Sequence, residues 1–257
     1  MTTRSSSLIR TLVVAAVAAV ATGAHAADQN VTNNVIMGNG INNGGFTVGS
    51  GGGVELGLRG RERYDLINNL PSNVTGSNNN GTYSQNAGEP PGFGGVGQNR
   101  ARWNFDWSVN TGTAKVSDYT YKLGMDFNAG VGTNFQTFDM INGAAYFDHS
   151  FGNNGTAQST GVEAVDVAGY AALKAANNLV QNSWNMDFFD NALFTFDPTV
   201  DGTYSFFLEA YGSSGNLLAR SDIDVIVGAG AKVPEPGTLA LMGLAIAGIV
   251  GLRRRKV

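Results

Sequence analysis

The chain contains no cysteine and only two histidines in 257 residues. Without thiols it forms no disulfide, no thiolate nucleophile, no zinc finger and no cysteine-ligated iron–sulfur site. His25 lies in the first thirty residues and His149 in the middle of the chain, so a multi-histidine metal centre is excluded. Charge is also scarce, at 14% of residues, against the usual quarter. What there is has one dominant sign. Between residues 27 and 236, ten basic residues meet twenty acidic ones, a net charge of −10. Nucleic acid is therefore no partner, since phosphate binding needs a basic surface. What is abundant is glycine, 36 residues, with much Asn and Ser, a composition suited to turns and strands rather than long surface helices.

Apolar residues make up 42% of the chain and aromatics 10%, enough to bury a core. The two ends read differently from the middle. Residues 1–26 have the three parts of a secretion signal. Arg4 and Arg10 supply the positive region, Leu12–Ala21 a short apolar run, and Ala24-His25-Ala26 an A-x-A cleavage site for signal peptidase. At the other end stand Val233-Pro234-Glu235-Pro236-Gly237, an apolar span over 238–252, and Arg253-Arg254-Arg255-Lys256. As a helix, 237–252 reaches about 24 Å against a hydrocarbon core of about 30 Å. It fits a membrane only transiently or with thinning, and the positive-inside rule keeps the basic cluster in the cytoplasm.

The order Pro234-Glu235-Pro236, apolar span, arginine run resembles the PEP-CTERM sorting signal of Gram-negative bacteria. The resemblance covers 233–257. It implies recognition by an exosortase, a membrane protease-transpeptidase that cuts near the motif, and release to the cell surface or extracellular space. Tails of this kind are also labelled ice-binding protein C-terminal, a name for the tail and no evidence of ice binding. Proteins of the family usually occur in organisms that make exopolysaccharide, which makes exopolysaccharide an expected partner.

Between the ends the sequence reads as an Asn/Gly-rich segment over 27–44, a body over 45–228 and a linker over 229–232. The body is expected to be mainly β, an antiparallel sandwich of immunoglobulin-like or jelly-roll-like type. Val54–Arg59 alternates apolar and polar residues, as a half-buried strand does. Trp103, Phe105, Trp107 and Val109 alternate with Asn104, Asp106, Ser108 and Asn110. Tyr119, Tyr121, Leu123, Met125 and Phe127 repeat the pattern, and Asn110–Thr113 has turn chemistry, so the two runs are expected to pair. Residues 71–100 are dense in Pro, Gly, Asn and Ser and read as a long mobile loop. Val165, Ala168, Ala172, Ala175 and Leu179 recur at helical spacing, which predicts a helix near 163–182. Thr203–Tyr211 and Leu217–Val227 form a closing hairpin. Its Gly202-Thr203-Tyr204 opening resembles the last strands of immunoglobulin-like and PKD-like modules. Asn177-Asn178, Gln181–Trp184 and Phe196-Asp197-Pro198 together resemble a recurrent type of PEP-CTERM body, a resemblance that implies no mechanism.

Reaction chemistry is thin. Asp222 and Asp224, two apart on a strand, share one face. The same alternation places them on a solvated face opposite Ile223 and Val225; paired carboxylates for glycoside hydrolysis or calcium are the alternative. Asp187 and Asp190 flank Phe188-Phe189 in the same ambiguous way. Asp148-His149-Ser150 is no triad, because triads assemble from separate elements, and His149 reads as a loop histidine. Trp103, Trp107, Tyr119 and Tyr121 read as a buried sheet face, with a flat sugar-stacking platform as the alternative. The expectation is a non-catalytic protein without cofactor or metal, sorted by Pro234, Glu235 and Pro236, cleaved after Ala24-His25-Ala26, and flanked at the membrane by Arg253, Arg254, Arg255 and Lys256.

Overall fold

A computed structural model describes residues 27–63, 72–90 and 99–231. The signal segment and the sorting tail, with Ala24, Ala26, Pro234–Pro236 and Arg253–Lys256, lie outside the described residues. The strands are β1 (Thr47–Gly51), β2 (Val54–Glu62), β3 (Thr82–Gln85), β4 (Trp103–Asn110), β5 (Thr120–Asp126), β6 (Phe135–Phe138), β7 (Ser150–Gly152), β8 (Leu179–Trp184), β9 (Gly202–Tyr211) and β10 (Leu217–Val227). One helix, α1 (Val167–Ala176), precedes β8. The strands form two five-stranded sheets, ordered β1-β2-β4-β8-β7 and β3-β10-β9-β5-β6. Every pair is antiparallel except β3 with β10. The architecture is a two-sheet sandwich, as the alternation predicts.

Period-2 alternation sends one face of each strand into the space between the sheets. From the first sheet come Leu56, Leu58, Trp103, Phe105, Trp107 and Val180; from the second, Leu123, Met125, Tyr204, Phe206, Leu208, Ile223 and Val225, all buried. Phe105 and Phe206 meet across the gap with ring centroids 4.7 Å apart. Trp103 stands edge-on to Phe206 at 6.2 Å. The closing hairpin has the expected strands, joined through residues 212–216, and its register runs from Val227↔Gly202 to Leu217↔Tyr211 with one irregularity at Leu217/Ala219.

Three expectations are corrected. First, β4 and β5 do not pair. β4 lies between β2 and β8 and β5 between β6 and β9. The turn at 110–113 leads into a short 3₁₀ turn, Val116–Asp118, which carries the chain from one sheet to the other. The two aromatic faces meet across the core rather than side by side.

Second, the predicted helix over 163–182 is shorter. Asp166 caps α1 by accepting from the Gly169 backbone N–H at 2.7 Å, so the helix starts only after it. Asn177 is extended and closes the helix by donating its N–H to Leu173 O at 3.0 Å. Leu179 and Val180 then enter a strand, where they are fully buried. Val165, counted in the helical stripe, is 91% exposed. Burial in the sheet outweighs helical spacing among weakly apolar alanines.

Third, 71–100 is not one mobile loop. Tyr83 is fully buried in β3, which adds to the edge of β10 in parallel register, Val225↔Tyr83. One large aromatic side chain with a place in the core is enough to order a segment whose composition reads as loop.

The polar face of β4, on which the alternation is silent as to cover, is buried as well. Asn104, Asp106, Ser108 and Asn110 are at most 4% exposed. The cover is the N-terminal segment. Val31, Val35, Met37, Ile41 and Phe46 form a second apolar cluster on the outer side of the first sheet. Gly57 makes the close approach possible: a Cβ there would stand 2.5 Å from Val31 Cγ1 and 3.1 Å from Phe46 Cδ1.

Candidate functional site

The first sheet's outer face carries a polar layer, built by register. Antiparallel pairing sets Arg59 opposite Asp106 and Asp106 opposite Ser183. Asp106 Oδ2 accepts from Arg59 Nε and from Arg61 Nε, each at 2.8 Å. Arg61 Nη2 reaches Asp106 Oδ1 at 3.3 Å and Ser183 Oγ at 3.1 Å. Burial alone would raise the Asp106 carboxyl, but Arg61 and Arg59 outweigh it and hold it at about 2. Arg59 Nη1 donates to Asn42 O at 3.0 Å and Gly44 O at 2.6 Å, and its guanidinium lies 4.2 Å from the Phe46 ring centroid. Gln181 Oε1 accepts from Ile36 N at 2.7 Å, and Gln181 Nε2 donates to Asn34 O and Ser108 Oγ. These groups bind the N-terminal segment to the sheet and present no reactive atom to solvent.

His149 is fully buried rather than a histidine in a polar loop. Its ring stands edge-on to Trp107, centroids 4.8 Å apart, and stacks on Phe147 at 5.0 Å. Nε2 lies 2.8 Å from Met140 O and Nδ1 3.0 Å from Asn182 Nδ2. The neutral tautomer with its proton on Nε2 satisfies both contacts. Burial pulls its pKa down to about 4, against a smaller upward pull from the Met140 carbonyl. This is a structural histidine, tied into the core from both nitrogens.

The remaining sequence candidates are also engaged. Trp103, Trp107 and Tyr121 are buried, and Tyr119 packs against the core, so the flat sugar-stacking platform does not exist. Asp222 and Asp224 lie on the outer face of β10, opposite buried Ile223 and Val225. Asp222 accepts from Arg220 Nε at 2.9 Å, and Asp224 accepts from Ser205 Oγ at 2.6 Å. Asp187 pairs with Arg100 at 3.0 Å, and Asp190 accepts from Asn99 Nδ2 at 2.7 Å. Among the described residues no three His, Cys, Asp or Glu side chains converge as metal ligands.

Sequence reasoning missed one cavity. β7 pairs with β8 only from Leu179 to Gln181, which leaves Asn182–Trp184 at the sheet edge. There a pocket of about 260 Å³ opens, lined by Met37 and Ile41, by Asn104, Asn182 and Trp184, by Arg63, Asp148 and Glu163, and by Phe188. Phe188 is 56% exposed. No local motif marks this pocket, because its walls come from six separate stretches of chain.

The last described residue, Ala231, is tied to the body: its backbone N–H donates to Thr203 Oγ1 at 3.1 Å. The next 25 residues, 232–256, match the family model of the PEP-CTERM protein-sorting motif. The chain carries a PEP-CTERM sorting motif. It is thus an exported protein of the Gram-negative type, recognised and processed at the membrane by an exosortase. No curated protein and no solved structure matches the chain. The PEP-CTERM match begins at the residue after Ala231, which is tied to the body, so little chain separates the sandwich from the segment the exosortase acts on.

Proposed function

We propose that the mature body is a non-catalytic component of the cell surface or extracellular matrix in an envelope or biofilm rich in exopolysaccharide. One observation supports this reading above the others. The residues with chemical potential are used to hold the fold together: Asp106 between two arginines, His149 in an aromatic cage and Asp222 on Arg220. An acidic body without cysteine suits a hydrated polymer. Deleting the gene should reduce matrix or floc formation, while purified residues 27–236 should leave the organism's own polysaccharide intact. Release of oligosaccharide by that protein, lost on Asp222→Asn or Asp224→Asn, would overturn the reading in favour of a glycoside hydrolase. Processing is checked by mass spectrometry of the exported form. It should begin near Ala27 and end near Pro236, and peptides covering 237–252 should be absent from it.

A second reading, carbohydrate binding, is supported by the pocket beside Trp184 rather than by the tryptophans of β4. An exposed ring, Phe188, together with amides and carboxylates from Asn104, Asn182, Asp148 and Glu163, is a lining suited to a polyhydroxylated ligand. Co-sedimentation of the body with the organism's polysaccharide, weakened by Phe188→Ala, would support it. Equal retention of both proteins would remove it.

A further inference from the structure

The end of the sandwich where the chain exits carries its own surface. Gly228 N–H donates to Gln85 O at 2.9 Å, Gly230 N–H to Val227 O at 3.0 Å, and Thr203 N–H to Ala129 O at 3.2 Å. Together with the Ala231–Thr203 bond, these tie four stretches into one rim: the β5–β6 loop, the start of β9, the end of β3 and the exit of β10. In this rim lies a cleft of about 490 Å³ lined by Ala129, Gly130, Thr199, Val200 and Asp201. Val131 is 61% exposed and Val200 43% exposed. The opposite end of β10, at Leu217, is separated from the rim by the full length of that strand.

Covalent geometry restricts what can occupy this rim. From Ala231 to Pro236 there are five residues, which span at most about 18 Å fully extended. Any enzyme that grips Pro234-Glu235-Pro236 therefore works against the rim. We infer that the rim around Ala129, Val131 and Val200 is a docking surface for the exosortase, which reads the folded end of its substrate as well as the motif. Charge favours a protein partner over a lipid surface. Anionic membranes attract Lys and Arg, whereas the cleft lining holds Asp201 and neither lysine nor arginine. Exposed valines around a shallow cleft suit the apolar centre of a protein contact. The inference rests on exosortase processing and not on the matrix reading.

The test uses the full precursor in a cell that contains its exosortase, following tail removal by mass in a pulse-chase. Val131→Glu with Val200→Glu should slow removal roughly tenfold, equivalent to about 1.4 kcal/mol of contact. Leu217→Glu, equally exposed but at the far end of β10, should leave the rate unchanged. Both substitutions are at exposed positions, and thermal melting of the purified bodies checks that each remains folded. A ten-residue Gly/Ser spacer inserted after Ala231 should slow the wild-type chain and abolish its difference from the double variant. A double variant processed at the wild-type rate overturns the inference. So does faster processing with the spacer, which would mean that the body only obstructs the enzyme. Absence of tail removal in the wild-type chain would instead count against the processing itself.

Discussion

His149 and Asp106 illustrate how single residues can carry the stability of this body. The unfolded chain protonates His149 near the ordinary 6.5, but the folded chain resists until about 4. Its contribution is therefore complete above pH 6.5 and lost progressively as pH falls from 6.5 towards 4, by up to about 3 kcal/mol. Urea unfolding measured across that window should show the loss, and His149→Phe should flatten the slope whatever it does to absolute stability. Asp106 acts lower, from 3.8 down to about 2, so the two effects separate on the pH axis. Asp106→Asn removes the carboxylate that, among the described residues, Arg59 and Arg61 share. It should cost about 3–5 kcal/mol at neutral pH, because two buried guanidinium groups are left without a counter-ion. A loss below about 1 kcal/mol in denaturant melts, the size of an exposed pair, would show that water reaches the layer. Neither role is visible in the residue string. Arg59, Arg61 and Asp106 alternate like solvated residues, and His149 sits between a charged and a hydroxyl neighbour.

At the level of elements, alternation in β2, β4, β9 and β10 was legible because each strand keeps one apolar face throughout. The ends of the helix and the presence of β3 were not legible, for opposite reasons. Alanine at helical spacing is a weak signal of burial, and in α1 only Tyr170 is buried, its hydroxyl donating to Ile141 O at 2.9 Å. β3 has four residues and one large apolar side chain. Tyr83 nevertheless reaches Gly45 O at 2.8 Å and Thr47 Oγ1 at 2.9 Å from its hydroxyl, so this one ring joins the second sheet to the N-terminal part of the first. Backbone amides of Tyr83 and Gln85 should exchange about as slowly as those in the middle of β9, which native-state hydrogen exchange measures. Fast exchange at 82–85 would restore the mobile-loop reading. Tyr83→Phe should cost about 1–3 kcal/mol, since it leaves buried acceptors unsatisfied.

For the whole molecule, the N-terminal segment decides where the protein may be cut. Cleavage after Ala26 leaves Val31, Val35, Met37, Ile41 and Phe46 attached, and these residues cover the polar layer of the first sheet. Removing 27–46 would expose that layer together with the outer side of Gly57. The truncated body should lose its cooperative melting transition, observed by circular dichroism or calorimetry; a folded truncated body would show that the segment only decorates the sheet. The glycine and asparagine content that marks 27–44 as irregular chain also lets it follow the sheet closely. Asn43 and Asn34 bond to backbone, Asn43 Nδ2 to Val31 O at 2.9 Å and Asn34 Nδ2 to Thr156 O at 2.9 Å.

The sequence by itself determined the address and the class of fold. A sorting motif is read as linear sequence by its enzyme, and strand alternation is a local consequence of the pleat. The absence of cysteine and the shortage of histidine likewise excluded whole families of chemistry without reference to shape. Tertiary structure alone decided which strands are neighbours, and so whether Asp106 faces water or two arginines. It also decided that the polar face of β4 is covered, that Tyr83 belongs to the core, and that Asn182, Trp184, Asp148 and Phe188 share one pocket. These are relations between stretches far apart in the chain, set by the packing of two sheets and a covering segment, and no local pattern encodes them.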